Sequence, residues 1–193
     1  PYAYIRNSKD VYSFNFNVLP ETQAKATFSH TFNNDRTTAK IHIYKVDKET
    51  GKAVPQGDAS LSGAVYGLYA REVINHPDGA TGVMFNAGDL VATLTTDEKG
   101  EAEVNNLYLG KYYVKEITPS EGYLLDEEEH DVVCDYEGDL VAEVSRSTTS
   151  AEQVIKQPFQ LIKVSDNGDD TEAGLLAGAE FTAYLKSSLS VKA

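Results

Sequence analysis

Along Ala39-Lys40-Ile41-His42-Ile43-Tyr44-Lys45-Val46-Asp47, and again along Lys111-Tyr112-Tyr113-Val114-Lys115-Glu116-Ile117, side-chain character alternates with a period of two. That is the period of a pleated strand with one face turned to a core. Ala64 to Tyr69, Leu90 to Thr95, His130 to Asp135 and Leu140 to Val144 are shorter runs of the same kind. Turn residues punctuate them: Glu49-Thr50-Gly51, Pro77-Asp78-Gly79, Asp97-Glu98-Lys99-Gly100, Leu109-Gly110, Ser120-Glu121-Gly122 and Glu137-Gly138-Asp139. No apolar stripe of period 3.6 is sustained, and short helical turns near Ala59 to Leu61 or Thr148 to Val154 are the only departures the pattern leaves room for. The pattern predicts an all-β sandwich.

The pattern also repeats. Ile43-Tyr44-Lys45-Val46-Asp47, a polar loop and Leu61-Ser62-Gly63-Ala64 through Tyr69 recur as Leu161-Ile162-Lys163-Val164-Ser165, a polar loop and Leu176-Ala177-Gly178-Ala179 through Tyr184. The offset from Lys45 to Lys163 is 118 residues, the length of a whole domain, which predicts a tandem array. Residues 38–158 are expected to be the complete module. Residues 159–193 then read as the truncated start of a following one. Residues 1–37, strand-like from Val11 to Leu19 and from Lys25 to Phe32, read as the last strands of a preceding one.

Composition narrows the function. Thirty acidic against 17 basic residues give a net charge of −13, the wrong sign for a nucleic-acid surface. No run of apolar residues is long enough to span a membrane. One cysteine and four scattered histidines give no zinc-binding pattern, and no nucleophile elbow or other spaced catalytic motif occurs. Cys134 sits in an alternating strand and reads as a small buried hydrophobe. The run Asp126-Glu127-Glu128-Glu129-His130 reads as a solvated charge run. Asp166-Asn167-Gly168-Asp169-Asp170 lacks the distal Glu of an EF-hand loop and reads as a polar turn. Phe14, Phe16, Phe28 and Phe32 read as sandwich core. No metal or cofactor is expected. The chain opens on Pro1 without a leader sequence, and reads as a segment of something longer.

Several motifs stand in a fixed order: Tyr44-Lys45-Val46-Asp47-Lys48-Glu49-Thr50-Gly51-Lys52, Leu61-Ser62-Gly63-Ala64, Thr96-Asp97-Glu98-Lys99-Gly100, Leu107 to Glu116, and Pro119-Ser120-Glu121-Gly122-Tyr123. The series resembles the SpaA-type, prealbumin-like (CnaB) modules of Gram-positive surface proteins and pilins. The resemblance implies an extracellular, immunoglobulin-like β-sandwich, stacked in a stalk attached to the cell wall. It also implies a spontaneous isopeptide crosslink between a first-strand Lys and a last-strand Asn or Asp, assisted by a Glu on a central strand. By motif, Lys45 and Glu116 match the first and the last of these. Period-two geometry independently places Lys45 with Ile41 and Ile43, and Glu116 with Tyr112 and Val114. The same two residues also read as a structural ion pair.

The acceptor is not identified. Relatives place it two residues before a Pro, where this chain has Lys156 before Pro158, and an ammonium cannot serve as the electrophile. Asp131 and Asp135 lie on an earlier strand. Asn34, in Phe32-Asn33-Asn34-Asp35, is a possible acceptor for the preceding domain, and Lys163 is the candidate lysine of the following one. The central module is therefore expected to lack the crosslink unless it uses another acceptor.

The functional expectation is a non-catalytic stalk module of a cell-wall-anchored adhesin or pilin-like protein, partnered by its neighbouring domains. The alternative is an adhesin domain that contacts a host protein or glycan through the loops after Arg71 or Glu121. An accessory module of a larger enzyme is a third possibility.

Overall fold

The structure, a computed structural model, describes residues 3–7, 9, 11–14, 27, 29–163 and 178–184. Among them there is no helix; nine strands run from Thr38 to Glu152. In chain order they are β1 Thr38–Asp47, β2 Val65–Ala70, β3 Ile74–Asn75, β4 Val83–Phe85, β5 Leu90–Thr95, β6 Glu101–Leu107, β7 Gly110–Thr118, β8 His130–Cys134 and β9 Glu143–Glu152. One sheet has the order β6-β1-β9, the facing sheet has β5-β2-β7-β8, and β3-β4 form a small hairpin. The fold is an all-β sandwich.

The core follows from the alternation. Ile41 and Ile43 of β1 meet Tyr66 and Leu68 of β2, Tyr112 and Val114 of β7, and Val132 and Cys134 of β8, all buried. β1 lies at the centre of its sheet, antiparallel to β6 and parallel to β9, so the first and last strands of the module are neighbours. A second cluster of Leu61, Tyr123 and Val154 closes the end of the sandwich where β1 terminates. There Thr96 Oγ1 donates to Leu61 O (2.6 Å) and accepts from Ala64 N–H (3.0 Å), tying the Leu61–Ala64 turn to the end of β5. Gly100 has φ +76°, and a β-carbon on it would lie 2.7 Å from Lys45 O, so only glycine fits against β1 there.

Three expectations need correction. Strand structure at 140–144 begins only at Glu143 and then runs on through Thr148 to Glu152, where a helical turn was allowed. β6 was not anticipated, nor were the short strands β3 and β4. Phe14 and Phe32 are exposed rather than in a core, and residues 11–14 and 29–32 are not in strands. Thr27 is likewise not in a strand; Phe16, Phe28, the Asp166–Asp170 turn and the rest of the strands expected at 11–19 and 25–32 lie outside the described residues.

Candidate functional site

Lys45 is on the core face of β1, one alternation beyond Ile43, where aliphatic core gives way to polar groups. Its side chain is fully buried. Glu116 faces it from β7, also fully buried, with its Oε1 3.5 Å from Lys45 Nζ. The third member, which sequence reasoning missed, is Glu152 at the end of β9. The parallel register pairs Lys45 with Ser150 and Asp47 with Glu152, and the Glu152 Oε2 atom lies directly against Lys45 Nζ. The ammonium position also lies 4.7 Å from the centroid of the Tyr123 ring.

Each carboxylate is oriented by its other oxygen. Tyr66 donates its hydroxyl to Glu152 Oε1 (2.5 Å). The Asp126 N–H donates to Glu116 Oε2 (2.8 Å). Asp126 is held in turn by the Ser150 hydroxyl and by His130 Nε2, both at 2.8 Å from its Oδ2. Asp126 is thus turned inward, a correction to its reading as part of a solvated run. Within the same run His130 supports Asp126, and Glu129 pairs with Arg71. Lys45 Nζ, Glu116 Oε1 and Glu152 Oε2 are buried and have no hydrogen-bond partner outside their own trio.

Burial sets the proton affinities. Desolvation lowers the Lys45 pKa below the ordinary 10.5, against the pull of Glu116 and Asp126. Desolvation raises that of Glu116 above 4.5, although the Asp126 N–H and Lys45 oppose it. Both shifts favour an uncharged amine beside an uncharged acid. An amine, a carboxyl carbon and a second carboxyl group able to carry protons, sealed from water, are the parts an amide condensation requires.

The other candidates are elsewhere. Lys156 is at the surface, where Nζ pairs with Glu49 Oε1 at 2.6 Å. That contact, with Gln153 and Gln56, holds the Glu49 carboxyl down to about 2. Asp131 pairs with Arg71, and Asp135 lines a cavity with Thr37 and Tyr108, at the end where β1 begins. Asn34 and Lys163 are exposed. Cys134 is buried, which pushes its thiol up to about 11. Among the described residues no cluster of His, Cys, Asp and Glu could hold a metal ion.

One signal in the sequence could have found Glu152. The offset that carries Lys45 onto Lys163 also carries Asn34, already a candidate acceptor, onto Glu152.

No curated protein matches the chain. Among solved structures, the Bacillus anthracis TIE protein is 24% identical, with a TM-score of 0.43, over 63% of this chain and 18% of its own. The group B streptococcus pilus 2b backbone protein is 23% identical, with a TM-score of 0.41, over 63% of this chain and 43% of its own. A minor pilin of Streptococcus agalactiae is 23% identical, with a TM-score of 0.40, over 66% and 49%. This chain therefore spans less than half of each of those proteins. The SpaA prealbumin-like fold domain matches residues 39–148, from β1 into β9 and across Lys45 and Glu116. The chain belongs to the SpaA family of prealbumin-like domains.

Proposed function

We propose that the chain is a non-catalytic, load-bearing segment of a tandem stalk in a cell-wall-anchored, extracellular surface protein, and that its central sandwich locks itself with an amide between Lys45 and Glu152. The observation that carries the lock is the convergence of buried Lys45 and Glu152, at the ends of the adjacent parallel strands β1 and β9, with buried Glu116 facing Lys45 from β7. The neutral Lys45 amine attacks the Glu152 carboxyl carbon. The new C–N bond replaces a C–O bond, Glu116 moves the amine proton to the departing hydroxyl, and water leaves. Pulling on the two ends of the module would then load a covalent bond between its first and last strands rather than their hydrogen bonds. The link closes a loop of about a hundred residues, for which chain entropy suggests about 4–5 kcal/mol of stabilisation.

Intact mass tests this. The folded chain should weigh about 18 Da less than its sequence, one water, and K45A should restore the full mass. A full-mass wild type would leave the trio as a buried ion pair, a reading that the position of Lys45 Nζ over the Tyr123 ring supports.

A second reading rests on the cavity of about 280 Å³ lined by Glu72–Pro77, in the loop after Arg71. Saturable binding of a host protein or glycan, lost on substitution in that loop, would favour an adhesin role over a spacer.

A further inference from the structure

The chain makes the same set of contacts with itself at two places. Where β1 ends, Leu124 N–H donates to Gln153 O (2.9 Å), Ile155 N–H donates to Gly122 O (2.8 Å), and Tyr123 bridges Val154. Where β1 begins, Ile5 N–H donates to Asp35 O (2.9 Å), Thr37 N–H donates to Ala3 O (2.8 Å), and Tyr4 bridges Arg36. Gly122 has φ +82°, and Ala3, at the matching position, has φ +64°, a left-handed conformation that alanine rarely adopts. The offset of 118 residues carries 35–37 onto 153–155 and, to within one residue, carries 3–5 onto 122–124.

The two copies differ in what covers them. The first is seated on the sandwich. Arg6 N–H donates to Asp139 O (2.6 Å), and its guanidinium meets the Asp139 carboxylate at 3.4 Å. Arg36 donates to the carbonyls of Asn106 and Leu107, both at 2.8 Å, and stacks over the Tyr108 ring. Thr37 is only 1% exposed. In the second copy, Ile155, at the position of Thr37, is 48% exposed, and Leu124, at the position of Ile5, is 52% exposed. Leu125, at the position of Arg6, is exposed beside them, as Arg6 itself is, but carries no charge to clamp with.

We propose that Leu124, Leu125 and Ile155 form an apolar seat for the following module of this same chain, which docks with the end that corresponds to Asn106–Tyr108 and Asp139. The inference rests on the tandem reading above. Phe159, Leu161 and Lys163 correspond to the buried Ile41, Ile43 and Lys45, yet all three are exposed, as the core face of a first strand would be before its sheet is complete. Three residues, Lys156, Gln157 and Pro158, separate Ile155 from Phe159, and the four steps between them reach at most about 14 Å. That tether is too short to hold a following sandwich away from the seat. The first junction is a polar clamp built on Arg6, Arg36 and Asp139. The second presents leucine and isoleucine, so its contact should be insensitive to salt where the first weakens.

The test uses the chain extended through the complete second repeat, compared with residues 1–193 by hydroxyl-radical footprinting. A second cooperative unfolding transition, with severalfold slower labelling of Leu124, Leu125 and Ile155 that persists in high salt, is the expected result. These side chains are exposed, so a Leu124→Asp/Ile155→Asp double variant should fold. It should also lengthen the particle in solution scattering by freeing the junction. A second transition without protection overturns the docking inference and leaves the tandem reading intact. Absence of a second transition overturns the tandem reading, and the docking inference with it. Protection that already appears in 1–193 as its concentration rises would assign the seat to a second copy and overturn the inference as well.

Discussion

Three buried side chains make up the candidate site of this module, and two of them are visible in a strand pattern. Lys45 and Glu116 interrupt otherwise apolar faces, and a charge on a buried face is rare enough to draw notice. Glu152 gives no such signal, because its strand, Glu143–Glu152, is built from serine, threonine and charged residues and presents few apolar side chains to the core. Glu116→Gln is the informative substitution. A glutamine preserves the shape and can still accept from the Asp126 N–H through its amide oxygen, but it cannot relay a proton. The variant is expected to fold with a native circular dichroism spectrum and to keep the water that the wild type loses. If it loses water as readily as the wild type, Glu116 is not the proton carrier. Tyr66→Phe removes the hydroxyl that donates to Glu152 Oε1 at 2.5 Å and leaves that buried acceptor only the longer contact from the Ser150 hydroxyl at 3.3 Å. A cost of about 1–3 kcal/mol is expected in urea unfolding.

Strands with a core face of aliphatic and aromatic residues were legible as elements; strands whose place depends on pairing alone were not. β1 and β7 alternate plainly because each sits between two partners and turns one face inward. β6, with the sequence Glu101-Ala102-Glu103-Val104-Asn105-Asn106-Leu107, is an edge strand, and its partner β1 holds it through a ladder of backbone bonds. Polar edge strands of this kind obey pairing rather than hydropathy. The proposed acceptor, Glu152, is on β9, a strand that hydropathy marked only at its start, and the internal repeat points to it where the pattern does not. Turns were read correctly as turns, but their anchors were not visible. Thr96, buried at the end of β5, holds the Leu61–Ala64 turn through both its hydroxyl proton and its lone pairs. Thr96→Val keeps the shape and strands two backbone groups. It should lower stability by about 1–3 kcal/mol, and Thr96→Ser should recover most of that loss in the same denaturant titration.

Across the whole molecule, the buried groups make stability depend on pH in a way that separates the locked from the unlocked state. Asp47 and Asp126 are held below 3.8; burial works against this, but the hydrogen bonds each accepts outweigh it. Their contribution is present above pH 3.8 and is lost as pH falls through their lower folded values. Glu116 has the opposite sign. Raised above 4.5, it binds a proton more readily in the folded chain, so stability declines as pH rises through its folded value. The net charge of −13 adds self-repulsion as carboxylates ionise, so the maximum should fall on the mildly acidic side of neutrality. The alkaline side discriminates. Tyr66 and Tyr112 are raised by burial, so the folded chain retains their protons above pH 10 and stability falls there as the unfolded chain releases its own. A free Lys45, lowered by burial, does the reverse. The folded chain holds fewer protons than the unfolded one between its depressed value and 10.5, and stability rises as pH climbs through that window. An amide nitrogen does not titrate, so the proposed Lys45–Glu152 link would remove the rise. Urea midpoints measured from neutral to strongly alkaline pH are therefore expected to fall without a preceding rise in the wild type. Glu116→Gln, which leaves the amine free, should show the rise, and its appearance in the wild type would mean that the lysine had never reacted.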